Sequence, residues 1–502
     1  MLHLIKEFFH QKSQLVLWVV DEYGPEIQRV FQSCLTLIKT HATISQASPD
    51  GGFYMDLVFL ARLQFAITVG FHFLFPPISI GLAWILVFVE AVGWRTGSET
   101  WQSIGKLFSK LLALTFAVGV ASGIVMEFQF GTNWASYSRF VGDIFGAPLA
   151  AEAIFAFFLE STFLGVYLLG RNRVSKEVHW FSILVVAIGT TLSAFWILVA
   201  NSWQQTPAGF EVINGRAVLT SFTEAVFNSS MWPRFFHQMT AAMITGAFFM
   251  AAAAAWLLLK NKGKEVALLA LKVSLVTGFI FAIISIFPTG HWHASQVARD
   301  QPAKFAVIEG LYETQTKAPL AVFGIPTVDK ETEKPRLAAE IRIPGMASWL
   351  ATGDVNAEIK GTDAFPASDL PPFGLPFFSF HLMVALGVAF LGLTALGLLF
   401  WKLNLLERAR WFLVLMVIAG PLPLIANQLG WITAEVGRQP WTVYNHLRTA
   451  ESVSITVGGG ELIFSLVMLS SIYALLLFVY LFVLGRILSK GPEVPKTAEV
   501  VS

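Results

Sequence analysis

Cysteine is almost missing from this chain: Cys34 is the single one in 502 residues. One thiol excludes an intramolecular disulfide framework and any cysteine-held zinc or iron–sulfur cluster, so a bound metal must be held by His, Met, Glu or Asp. Charge is scarce too, at 13% of residues, about half the ~25% of a soluble domain. The net charge is +1 and no Lys/Arg-rich run occurs, which gives nucleic acid no footing. No internal repeat in the range of roughly 20–50 residues that marks a solenoid is evident. What is plentiful is apolar surface, with 55% hydrophobic residues, 45 Phe and 16 Trp and a mean hydropathy of +0.63. Lipid is the solvent such a composition suits.

The chain reads as an all-α polytopic membrane protein. Residues 1–52 form an N-terminal extension whose apolar patches are too short to cross. From Pro25, the positions Ile27, Val30, Phe31, Cys34, Leu35 and Ile38 keep helical spacing and predict an amphipathic helix on a membrane surface or a partner. Nine apolar runs then reach the ~20 residues a transmembrane helix needs. They lie at about 57–91, 107–130, 147–170, 179–202, 235–259, 266–289, 376–401, 410–430 and 460–485. Pro76 and Pro77 interrupt the first, which predicts a tilt or kink. Six spans fill 53–289, three fill 376–488, and 290–375 is the one long connection. Basic residues cluster after every odd span (Arg95 and Lys106, Arg171 and Arg173, Lys260 and Lys262, Lys402 and Arg408, Arg486 and Lys490). By the positive-inside rule those sides are cytoplasmic. The N-terminus and the 290–375 loop therefore lie outside, and the tail 489–502 is cytoplasmic.

Ionisable residues within spans are costly and mark function. His72 lies mid-span in GFHFLFPP and His237 in RFFHQMTAAMITG, each either a histidine bonded to a neighbouring helix or a haem ligand. Met383, in FFSFHLMVALG, is core filling or a thioether ligand. His381 stands two residues earlier, about 200° round the helix, so the two cannot serve one iron. Glu152 and Glu160 are separated by about 12 Å of helical rise and lie broadly on one side, as a proton relay requires. The alternative is one acid at the span's edge and one paired with a basic group. MEFQFGTNW places Glu127, Gln129, Asn133 and Trp134 at an interface. In QPAKFAVIEGLYET, Lys304 and Glu309 read as a solvated pair, or Glu309 as a base for a hydroxyl-bearing substrate. In WITAEVGRQPW, Trp431, Glu435 and Arg438 end a span, with the acid and arginine three residues apart on one helical face. Gly437 and Pro440 stop that helix.

Five strings in this order, GFHFLF, MEFQFGTNW, GDIFGAPLAAEAIFAFFLEST, KFAVIEGLYET and WITAEVGRQPW, resemble the haem-bearing subunit I of cytochrome bd-type quinol oxidases over roughly residues 53–488. The resemblance implies that His237 and Met383 are axial ligands of a low-spin b haem. It implies that His72 and Glu435 serve a high-spin b haem and a d-type haem, which b can replace. Glu152 and Glu160 match acids of a proton route from the cytoplasm, Lys304 and Glu309 match quinol-site residues, and Trp431 and Arg438 match residues beside the haems. It further implies oxidation of membrane quinol at the outer face and reduction of dioxygen to water with cytoplasmic protons, which builds a proton-motive force without pumping. The setting is a bacterial cytoplasmic (inner) membrane, with a second multipass subunit and a small single-span subunit as partners. One departure concerns His381, which stands where the family usually carries an arginine toward a haem propionate, and which opens His381 itself as a ligand. The loop after Glu313 resembles the short-loop branch.

Two rivals are a haem-bearing quinol dehydrogenase that reduces no oxygen and a cofactor-free secondary transporter. A simple electron relay needs no proton path, so Glu152 and Glu160 count against the first. The missing inverted repeat counts against the second.

Overall fold

A computed structural model describes residues 57–152, 154, 157–328 and 335–493. The expected amphipathic N-terminal helix and most of the expected tail lie outside the described residues. The elements that position the site are helices α1 (Leu57–His72), α2 (Pro76–Thr96), α3 (Glu99–Thr132), α4 (Ala135–Ala151), α5 (Phe157–Gly170) and α6 (Lys176–Gln205). A hairpin of β1 (Phe210–Ile213) and β2 (Arg216–Leu219) follows, then α7 (Met231–Leu259) and α8 (Lys264–Ile284). A π-helical segment, Ser285–Gly290, joins α8 to α9 (His291–Asp300), and α10 (Pro302–Glu309) comes next. The rest comprises β3 (Leu320–Val328), β4 (Pro335–Ile343), α11 (Met346–Thr352), α12 (Gly374–Lys402), α13 (Arg410–Ala419), α14 (Leu422–Val436) and α15 (Gly459–Lys490).

Among the described residues, eight helices are long and apolar enough to cross a membrane. The ninth expected run, 147–170, is not one long helix. It is divided between α4 and α5, with Glu152 and Ile154 in π-helical backbone between them, and its longest apolar piece is the 14-residue α5. Pro76 and Pro77 act as expected. Proline has no N–H to continue a helical ladder, so α1 ends at His72 and α2 restarts with proline in its first turn. The span expected to stop at residue 289 instead runs on to Asp300. Pro288 lies inside the π-helical segment, which absorbs the lost hydrogen bond by widening rather than stopping the helix.

Helices in lipid gain little from apolar burial against one another, so close packing of small residues holds them. α2 and α7 show this directly. A Cβ on Gly81 would lie 2.1 Å from the Ala242 carbonyl oxygen, and one on Gly246 would lie 2.4 Å from the Gly81 carbonyl carbon. Two glycines thus let the backbones touch, which brings the helix of His237 against the one that begins beyond His72. The core around this contact includes Leu82, Leu86, Phe108, Phe248 and Leu271. Asn214 and Gly215 turn the β1–β2 hairpin with φ of 51° and 73°, the left-handed pair a tight hairpin needs.

Candidate haem and quinol site

One cavity of about 2220 Å³ runs between α1, α3, α6, α7, α9, α12 and α14, twice the upper end of the ~300–1,000 Å³ usual for small-molecule pockets. His72, His237, Met383, Glu435, Glu152, Glu160, Lys304, Trp431, Arg438 and His381 all line it. Residues scattered between positions 72 and 438 of the chain are therefore brought to one space. Glu309 does not line it.

His72 closes α1, where the proline break leaves its ring beside α3. Its Nδ1 is 3.1 Å from the Ser122 hydroxyl oxygen, which leaves Nε2 for another partner. A Cβ on Gly123 would lie 3.0 Å from the ring, so glycine makes the room. His237 is similar, with Nδ1 3.5 Å from Thr289 Oγ1 in the π-helical segment. Met383 lies against α14, where a Cβ on Gly430 would come 2.9 Å from its sulfur. His381 differs. Its Nδ1 is 2.8 Å from the Phe377 carbonyl oxygen and its Nε2 2.7 Å from that of Ala321. Both nitrogens are thereby engaged by backbone, which favours Met383 over His381 as the group free to bind a metal.

Glu435 accepts hydrogen bonds from Asn201 at 2.8 Å and Gln205 at 3.3 Å, and its other oxygen pairs with Arg438. Arg438 also donates to Gln204 Oε1 at 3.3 Å. The end of α6, NSWQQ, is thus the amide cradle of the GRQPW stretch, and no charge in it signals that role. Lys304 is no solvated group. It is 3% exposed and donates to the Ala434 carbonyl, Gln205 and Gln301 at 2.8, 3.1 and 3.3 Å. Burial, with Arg234 and Arg438 nearby, holds its ammonium well below lysine's usual range against the pull of Glu435. The reading of Lys304 and Glu309 as a solvated pair fails in the same way at Glu309, which is 1% exposed and has both carboxyl oxygens unpartnered among the described residues. Burial alone pushes its carboxyl up to about 8.

Glu152 accepts from Ser193 at 2.8 Å, and Glu160 keeps one buried oxygen without a partner among the described residues. Glu127, from the interfacial string, joins them on the cavity wall. Arg234, three residues before His237, is the residue sequence reasoning missed. It is 5% exposed, its Nε and Nη2 are unpartnered among the described residues, and its Nη1 donates to Asn201 Oδ1 at 3.5 Å. Arg234, Lys304 and Arg438 thus put three basic side chains on the cavity around one carboxylate, Glu435. Unpaired buried charge is expensive, so the wall is built for an added anion. Flat macrocycles bearing carboxylates, ligated by His, Met or Glu through a free lone pair, fit every one of these features.

The family described as cytochrome bd terminal oxidase subunit I matches residues 60–492. The chain is 40% identical over 450 residues to cytochrome bd ubiquinol oxidase subunit 1 of Bacillus subtilis (strain 168), covering 88% of this chain and 95% of that one. It is 34% identical to cytochrome bd-II ubiquinol oxidase subunit 1 of Escherichia coli (strain K12), covering 87% and 97%. The solved bd oxidase from Geobacillus thermodenitrificans aligns with a TM-score of 0.80 at 30% identity, over 87% of this chain and 99% of that one.

Proposed function

The chain belongs to the cytochrome bd terminal oxidase subunit I family, multi-pass haem proteins of quinol:oxygen oxidoreductases, and from that premise we propose how its own residues divide the work. The observation that carries the reading is the shared cavity, on which His72, His237, Met383 and Glu435 meet three buried basic side chains. His237 and Met383 hold a low-spin b haem. His72 and Glu435 hold the other two, one high-spin b and one d-type that b can replace. When bound, these haems take electrons from quinol and pass them to dioxygen.

The protein's share is orientation, charge and protons. Ser122 and Thr289 fix the ring planes of His72 and His237, as second partners of ligating histidines do. Arg234 and Arg438 offset carboxylate charge, and Trp431 walls the cavity one helical turn before Glu435. Glu152 and Glu160, with Glu127, hold protons at carboxyl oxygens and hand them on toward the oxygen site from the cytoplasmic side; a simple electron relay needs no such acids there. The segment of Lys304 and Glu309 serves quinol at the outer face, with Glu309 as a proton holder. Releasing quinol protons outside and consuming protons from inside builds a proton-motive force without pumping.

The setting is a bacterial cytoplasmic membrane crossed nine times, the divided α4–α5 stretch included, with the N-terminus outside and the C-terminus inside. A second multipass subunit covers apolar faces such as those of α12 and α15, of whose most apolar windows 17% is buried, and a small single-span subunit joins them. Reduced-minus-oxidised spectra of the purified complex test the ligand set. Met383→Leu abolishes the low-spin b signal and spares the remaining haem bands. Loss of that signal in His381→Ala but not in Met383→Leu would overturn the assignment.

A further inference from the structure

The resemblance gives the quinol site to Lys304 and Glu309, yet neither offers a free polar atom to this cavity. Lysine has three N–H donors and no acceptor, and Lys304 already has three acceptors in reach. Glu309 does not border the cavity at all. The outer part of the cavity does contain two such atoms, His291 Nδ1 and His293 Nε2, the second on a ring 5.6 Å from that of His237, centroid to centroid. His291, the first residue of α9, lines it, and its buried Nδ1 has no hydrogen-bond partner among the described residues. Its ring lies 5.0 Å from that of Trp349 on α11, centroid to centroid. Gly290, the preceding residue, touches the redox end: a Cβ there would lie 3.7 Å from His237 Cε1. Buried polar atoms in native proteins are nearly always paired, so an orphan on a cavity-lining residue points to a ligand.

The walls leading to His291 fit an amphiphile. Phe287, Val322, Leu375, Val384 and Val388 line the cavity, yet each is between 44% and 62% exposed. They frame an apolar mouth between the π-helical segment, β3 and α12, open sideways toward lipid. An isoprenoid tail suits the mouth and a hydroxylated ring suits the inner end.

We propose that His291 is the residue that contacts the quinol ring and takes its first proton. As the Nε2–H tautomer, His291 presents the Nδ1 lone pair. The quinol O–H bond breaks, the proton goes to Nδ1, and the electron leaves for the oxidase's redox centre beside His237. Glu309 then serves as a proton holder beyond the contact. This rests on the quinol-oxidase reading above.

Anaerobic stopped-flow reduction of the purified complex by a short-chain ubiquinol tests it. General-base catalysis contributes roughly 10²–10⁴-fold, so His291→Gln is expected to slow quinol-driven haem reduction by about 10²-fold while the dithionite-reduced spectrum stays intact. His291→Asn, which keeps a polar atom near Nδ1, retains quinol binding better than His291→Leu. A His291→Gln enzyme reduced at the wild-type rate overturns the proposal. Wild-type enzyme that dithionite reduces and quinol does not would instead overturn the quinol-oxidase reading. Should the variants lose haem, photolabelling of wild-type complex with an azidoquinone decides: label on residues 291–298 or 346–352 supports the assignment, and label confined to other segments refutes it.

Discussion

At the scale of single residues, the account turns on buried polar groups whose partners are missing or unexpected. Glu309 gives a prediction with a definite sign. Its carboxyl is raised to about 8 in the folded protein from an ordinary value near 4.5. Between those values the unfolded chain has lost a proton that the folded chain keeps, so stability falls as pH rises through this window and levels off above about 8. Glu309→Gln, uncharged throughout, escapes the loss. Thermal unfolding of the complex at pH 6 and pH 9 is expected to show the variant gaining on wild type at the alkaline end, by roughly a few kcal/mol at most. A difference that does not change with pH would contradict it. His72, His237, Met383 and Glu435 were legible because a ligand-capable side chain in an apolar span has few bland explanations. Arg234 was not, since an arginine in the first turn of a span reads as an interfacial flank. His291 was hidden for a related reason: HWH follows a run that hydropathy ends at residue 289, so it read as loop. The bond of His381 Nε2 to the Ala321 carbonyl comes from β3, which no sequence pattern joined to α12.

At the scale of elements, eight of the nine apolar runs fall on helices long enough to span because lipid demands a fixed length, though the helix found at 107 begins at Glu99 and the one expected to stop at 289 runs to Asp300. Hydropathy averages over a window, however, and is blind to backbone form. It missed the π-helical segment around Pro288, and it missed the division of 147–170 at Glu152. Both irregularities lie where a side chain is presented to the cavity, Phe287 in the first case and Glu152 in the second. The contact between α2 and α7 is the element on which the ligand geometry depends. Any Cβ at Gly246 meets the backbone of Gly81 and Leu82, which cannot move aside as a flexible side chain would. Gly246→Val is therefore expected to force the two helices apart at a cost of about 1–3 kcal/mol or more and to lower the content of every haem together. Gly165→Ala, in open space away from the cavity, serves as the control and keeps wild-type haem content. Normal haem content in Gly246→Val would show that the contact does not set the site.

At the scale of the whole molecule, charge placement carries the function. A cavity with three basic groups, one ion-paired carboxylate and further acids along its wall has the charge placement that the proposed binding of anionic cofactors and passage of protons requires. The apolar mouth by Phe287 and Val322 supplies a way in for a lipid-soluble reductant. Fold class and the overall reading were within reach of the sequence, because five long motifs keep their order and the spans keep theirs. How the loop after α9 closes over the cavity was not, since that depends on contacts between segments distant in the chain. Oxygen uptake by the purified complex, driven by a short-chain ubiquinol, tests the central claim most directly. The account predicts sustained uptake that stops when quinol is exhausted and that falls by about 10²-fold or more in His237→Ala. Haem that quinol reduces fully, with no oxygen consumed by the complex, would contradict it.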